Sequence, residues 1–145
     1  MRAALVLCLL AGAALADDRR AEVHYMLHCQ GCHLPQAAGM DGRVPPIRDF
    51  AGWFLHSAEG RDFLVRVPGV AQSALSSADV AELMNWLLLT YSAAELPEPF
   101  RPFTAAEVDR LRSAPIADPA RARSVILDDL AARLPGLRAA LDGAR

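Results

Sequence analysis

Cys29-Gln30-Gly31-Cys32-His33 is the stretch on which the reading of this chain turns: two thiols three residues apart, with an imidazole directly after the second. Working outward, Arg2 is followed by the apolar run Ala3 to Leu10 and its continuation to Leu15 through Gly12. Ala14-Leu15-Ala16 has the small-x-small form that a signal peptidase cuts, and Asp17-Asp18-Arg19-Arg20 turns abruptly polar. That order is a secretory leader, residues 1–16, cut after Ala16. As a membrane anchor it falls short, since about 13 apolar residues span roughly 20 Å of helix against a hydrocarbon core of about 30 Å. The third cysteine, Cys8, leaves with the leader, so Cys29 and Cys32 are the cysteines of the mature chain. An exported protein with two cysteines commonly joins them in a disulfide. Here the histidine after the second asks for another use.

The 145 residues carry a formal charge of −2, and all 15 basic residues are arginine. No basic stripe interleaved with aromatics is present, which argues against nucleic acid as a partner.

The apolar spacing is helical throughout, without convincing period-2 strands, so the fold class expected is all-α. Residues 19–29 read as a first helix, followed by a glycine- and proline-bearing loop from Gly31 to Pro46. Phe50 to His56 and Arg61 to Val67 read as two short helices broken at Glu59-Gly60, and Pro68-Gly69 marks a turn. The strongest helix runs from about Ala78 to Tyr91, where Val80, Leu83, Met84, Leu87 and Leu88 form one apolar stripe. Ser76 or Ser77 is its N-cap, and Asp79 lies near the positive end of its dipole. Pro97, Pro99 and Pro102 form a stiff linker. Beyond it, Thr104 to Arg112 opens with a capping-box pattern, Thr104 to Glu107, and a last helix spans Ala120 to Leu134, ended by Pro135-Gly136. The expected organisation is a leader at 1–16, a compact domain at 17–92 and a proline-linked helical extension at 93–145. The extension reads as a tail packed on the domain or partly frayed ahead of a docking arm.

The cysteine motif has the form of a c-type haem attachment site. Thiols at this spacing can each add to a vinyl group on neighbouring edges of one macrocycle, and the next residue is then placed under the iron. Zinc needs four ligands and the other histidines are not at finger spacing. A thioredoxin-like pair should sit beside a βαβ pattern, which is missing. Cys29 and Cys32 are therefore the expected covalent attachment points of one haem c, and His33 the expected iron ligand.

With these residues in place, residues 19–92 resemble the class I monohaem c-type cytochromes. The resemblance rests on the motif near the mature N-terminus, Tyr25 four residues before the first cysteine, the glycine- and proline-bearing loop, and a helix carrying Trp86. It implies a small cytochrome c-like helical fold whose first and last helices cross, so that Tyr25 and Trp86 meet. It implies that a carbonyl at Pro45 or Pro46 accepts a hydrogen bond from the His33 imidazole. It makes Trp53, Arg43 and Arg48 candidates for haem-propionate contacts beside their plainer reading as packing or surface residues.

One departure stands out. The family takes its sixth iron ligand, a methionine, from the loop before the last helix, but here Pro68 to Leu75 contains no methionine, histidine or lysine. Of the remaining donors His56 ranks first as distal ligand, an open or water-bound position second, and Met40 or Met84 after these. Met26 reads as packing, and His24 and His28 as solvent-facing or propionate contacts. The expected function is single-electron transfer in the periplasm between redox partners, a periplasmic dehydrogenase among them. The mature chain is expected to have no membrane span and to be a carrier rather than an enzyme. The alternative is a haem protein whose open sixth position binds small ligands or supports peroxidase-like chemistry.

Overall fold

The computed structural model describes residues 18–143, so the expected leader lies outside the described residues. The described elements are helical, and an isolated bridge pairs Met40 with Val44. The all-α expectation holds. Among the described residues no helix is long and apolar enough to cross a membrane.

Helix α1 covers residues 18–28 and runs into the short α2, Gln30–His33. It has neither glycine nor proline to oppose it, and it buries Ala21 and Tyr25, four residues and one turn apart. The long helix α5 is Ser77–Tyr91, and Ser76 rather than Ser77 caps it, its hydroxyl accepting the Asp79 N–H at 3.1 Å. Every residue of the predicted stripe, Val80, Leu83, Met84, Leu87 and Leu88, is buried. The expected meeting of aromatics is present: the Tyr25 ring lies 6.1 Å from both Trp86 and Tyr91, which meet each other edge-on at 5.6 Å. Arg20 of α1 pairs with Glu82 of α5 along the same contact.

Between α1 and α5 lie a 3-10 helix, Ala51–His56, then α3, Ala58–Arg66, and the single turn α4, Pro68–Ala71. The break expected at Glu59-Gly60 falls instead at Ser57, whose hydroxyl caps α3 by accepting the Gly60 N–H at 3.0 Å. Gly60 sits inside the helix for another reason. A Cβ there would stand 2.1 Å from the Phe54 carbonyl oxygen, so the glycine permits the close approach that stacks Phe54 on Phe63 at 5.1 Å.

The extension is packed, not frayed. It comprises α6, Ala105–Arg112, α7, Pro119–Arg133, and α8, Pro135–Gly143. Pro135-Gly136 does not end the chain's helical part: the proline opens α8, where its missing N–H is not needed. Phe103, Val108 and Leu111 join the same core as Tyr25 and the α5 stripe. Leu127, Leu130 and Leu137 form a second core with Phe50, Phe54 and Phe63.

Three arginines fasten the extension to the rest. Arg61 is 6% exposed; its guanidinium grips the Glu107 carboxylate at 2.6 and 2.8 Å and the carbonyls of Arg101 and Pro102 at 2.7 and 3.0 Å. It also lies 3.9 Å over the Phe103 ring. Arg66 donates to the Ala114 carbonyl at 2.8 Å while its own carbonyl accepts the Ile116 N–H at 2.9 Å. Arg112 of α6 reaches back to the carbonyls of Ala71, Ser73 and Leu75 at 3.1, 2.5 and 2.7 Å. Half of the predicted capping box forms. Thr104 accepts the Glu107 N–H at 3.2 Å, but the Glu107 carboxylate is taken by Arg61.

Candidate haem site

The attachment turn continues the backbone of α1. The Cys29 N–H donates to the Tyr25 carbonyl, and the His33 N–H to the Cys29 carbonyl, both at 2.9 Å. Cys29 is partly buried against the main core, Cys32 is exposed, and neither is in a disulfide. Burial pushes the Cys29 thiol up, and the neighbouring Cys32 adds to the effect. A bound macrocycle would thus be held by one partly buried sulfur and one exposed sulfur on the same turn.

His33 is half-buried, and burial, the larger influence, lowers its pKa. The Pro45 carbonyl opposes this from close by, favouring the protonated ring. Nδ1 is buried, and the approach stops short of a well-formed hydrogen bond. The hydrogen bond expected from the imidazole to a proline carbonyl is therefore not formed, although the Pro45 carbonyl is close enough to influence the ring.

The segment that brings Pro45 there is tightly tied. Leu34, Gln36 and Ala37 have φ of 64°, 63° and 60°, a left-handed conformation that costs a non-glycine residue on the order of 1–2 kcal/mol. The Tyr25 hydroxyl holds this turn, donating to the Leu34 carbonyl and accepting the Ala37 N–H at 3.0 Å. The Ala37 carbonyl in turn accepts the Ile47 and Arg48 N–H groups at 3.0 and 3.1 Å. At Gly39, φ is +73° and a Cβ would stand 2.5 Å from the Val44 carbonyl, so the loop folds back on itself just before Pro45. The sequence marks the Tyr25 ring as core and gives no sign of what its hydroxyl does. Tyr25→Phe is expected to cost about 1–3 kcal/mol, because it strips partners from two backbone groups of that turn. Equilibrium denaturant unfolding measures it; an unchanged midpoint would assign no holding role to the hydroxyl.

His56 has another engagement. Its Nε2 lies 3.0 Å from the Glu95 carbonyl, and its ring lies 5.7 Å from that of Trp53. Glu95 is itself held by the buried Ser92, whose hydroxyl donates to its carboxylate at 2.7 Å and accepts the Gly52 N–H at 2.8 Å. Trp53 lies against Gly136 of α8, where a Cβ would come within 2.7 Å of its ring. Arg48 donates to the Gln36 carbonyl at 2.8 Å and lies over Tyr91, and Arg43 is exposed. Trp53 and Arg48 thus both have packing contacts within the protein.

These residues fit a covalently held haem. Two unpaired thiols and an imidazole share one turn, and a carbonyl backs the imidazole. Ile47, Leu55, Leu64 and Val70, all partly buried, pack against the same core as Cys29.

No family model and no solved structure matches the chain. Among curated proteins it is 28% identical over 130 residues to a cytochrome c-552 of Thermus thermophilus, covering 77% of this chain and 86% of that one. A second cytochrome c-552 of the same species is 28% identical over 103 residues, covering 59% of this chain and 79% of its own. The 77% share is more than residues 17–92 could supply, so the likeness to the first runs into the extension.

Proposed function

We propose, for a chain that belongs to the c-type cytochromes, that Cys29 and Cys32 hold one haem c by thioether bonds, that His33 ligates its iron, and that the protein passes single electrons between redox partners in the periplasm. The observation that carries this reading is the placement of both thiols and the imidazole on one turn, with the Pro45 carbonyl set against the ring. The haem, when bound, supplies a one-electron couple at its iron. The chain's own residues supply the frame. The Pro45 carbonyl lies close enough to the imidazole to favour its protonated form. The Tyr25-pinned turn would hold the segment that carries that carbonyl in place around a bound haem. Cys32 is exposed, so a haem attached there would be reachable by a partner in a small and transient redox encounter. Export fits the leader pattern at residues 1–16, and a periplasmic dehydrogenase is the proposed electron donor.

Cys29→Ala combined with Cys32→Ala is expected to abolish covalent haem. Haem-stained gels of the denatured protein read this directly. Covalent haem retained in the double variant would overturn the assignment.

A further inference from the structure

The chain has 4 histidines. His33 belongs to the attachment turn, and His56 keeps its Nε2 on the Glu95 carbonyl at 3.0 Å. The other two, His24 and His28, stand four residues apart on α1. One turn of helix puts them on the same face, with ring centres 6.0 Å apart. Imidazoles at this spacing on a helix are a pair that one transition-metal ion can bridge.

A carboxylate stands beside them. His24 Nδ1 is buried with no hydrogen-bond partner, so Nε2 is the nitrogen that can meet a ligand. Nε2 faces Oδ1 of Asp79, in the first turn of α5, at 3.7 Å, beyond the reach of a hydrogen bond. The other carboxylate oxygen, Oδ2, accepts the Ser76 hydroxyl at 2.5 Å, which keeps Oδ1 turned towards His24. Arg20 also stands 3.7 Å from Oδ1, but its guanidinium is paired with Glu82. The side chains of His24 and Asp79 are 20% and 26% exposed, so they meet in a joint that is largely shielded from water.

The spacings suit a bound ion. Two donors that each lie about 2.1 Å from one zinc ion stand about 3–4 Å apart, and two imidazoles sharing it have ring centres at most about 6 Å apart. The 3.7 Å between His24 Nε2 and Asp79 Oδ1 falls inside the first range, and the 6.0 Å between the rings lies at the limit of the second. Among the described residues no three such side chains are already gathered for a metal. His28 is the member that has to turn inward, and it is exposed, where side chains change rotamer readily.

We propose that His24, His28 and the Asp79 carboxylate take up one zinc-type divalent cation, with water completing its shell, and that the ion clamps α1 to α5. Two imidazoles and one carboxylate suit zinc and its late first-row neighbours, whereas magnesium and calcium ask for oxygen ligands throughout. Two of the ligands come from the helix that leads into the attachment turn and the third from the long helix packed against it, so an ion held only by the folded chain raises its stability as ion concentration rises. The site does not depend on the haem reading.

The test is a calorimetric titration of the full-length holoprotein with zinc, alongside its thermal unfolding midpoint at rising zinc concentration. One zinc per chain is expected, with a midpoint that climbs with zinc and does not respond to magnesium. His28→Ala and Asp79→Asn should each weaken uptake at least about tenfold, the loss that even an outer partner of a metal ligand causes. Uptake should be unchanged in His56→Ala. Circular dichroism checks that each variant is folded; replacement of the exposed His28 leaves the packed face of α1 untouched. No uptake by the wild type overturns the site. So does uptake that persists unchanged in His28→Ala, or magnesium bound as tightly as zinc. A protein isolated without haem would refute the attachment reading alone, and alkylating its thiols before the titration leaves this test as it stands.

Discussion

Arg61→Ala is expected to lower folding stability by about 3–5 kcal/mol, the usual consequence of removing one partner from a buried ion pair. The side chain is 6% exposed and Glu107, which it grips through two nitrogens, has a side chain 11% exposed. The variant leaves that carboxylate buried with only the longer contact from exposed Arg101, at 3.4 Å. It also frees the Arg101 and Pro102 carbonyls and empties the space over Phe103. Denaturant unfolding of the holoprotein measures the loss. The double variant Arg61→Met with Glu107→Leu should recover part of it, because the carboxylate is no longer stranded; a double variant as unstable as the single one would place the cost elsewhere. The same pair gives the stability an acid limb. The hydrogen bond from Arg61 first, and then the charges of Arg61 and Arg101, hold the Glu107 carboxyl below its ordinary value of 4.5. A carboxyl depressed by folding contributes fully above its unfolded pKa, and that contribution is lost as pH falls through the lower, folded one. The wild type should therefore lose stability below about pH 4.5 more steeply than the double variant.

Arg112→Ala is expected to cost about 3 kcal/mol, since hydrogen bonds to a charged group contribute about 1.5–3 kcal/mol each and three sharing one side chain do not add in full. Its three acceptors lie on a single short segment, Ala71 to Leu75. Hydrogen exchange of the amides from Val70 to Leu75 should quicken more than that of α5. Arg112→Lys should rescue little, because one ammonium cannot span three carbonyls that a planar guanidinium reaches together. Full rescue by lysine would mean that charge alone, and not the fork of donors, holds the segment.

What could be read from the sequence was whatever rests on local pattern. The α5 stripe and the Ser76 cap depend on residues within a few positions of one another, and each is as expected, whereas the attachment turn, read as the start of a loop at Gly31, is a helical turn over Gln30–His33. What escaped depends on partners far along the chain. Gly60 looks like a helix break because glycine usually is one, yet its small size serves a contact with Phe54 while Ser57 makes the break. Pro135-Gly136 looks like an ending, yet it starts α8 and lets Gly136 meet Trp53, 83 positions earlier. Glu107 looks like the closing member of a capping box, and Arg61, 46 positions away, outcompetes that use. The arginines of the extension read only as charge, because nothing in the letters around Arg112 shows that three carbonyls converge on it.

The fastening by arginine has a consequence for descent. Apart from Glu107, the acceptors of Arg61, Arg66 and Arg112 are main-chain oxygens, at residues 71, 73, 75, 101, 102 and 114. A peptide carbonyl is the same whatever side chain it carries. Substitutions at those six positions can therefore accumulate over generations while the joint they form persists, provided that the backbone path is kept. Insertions and deletions in these segments would be purged, and ordinary replacements tolerated.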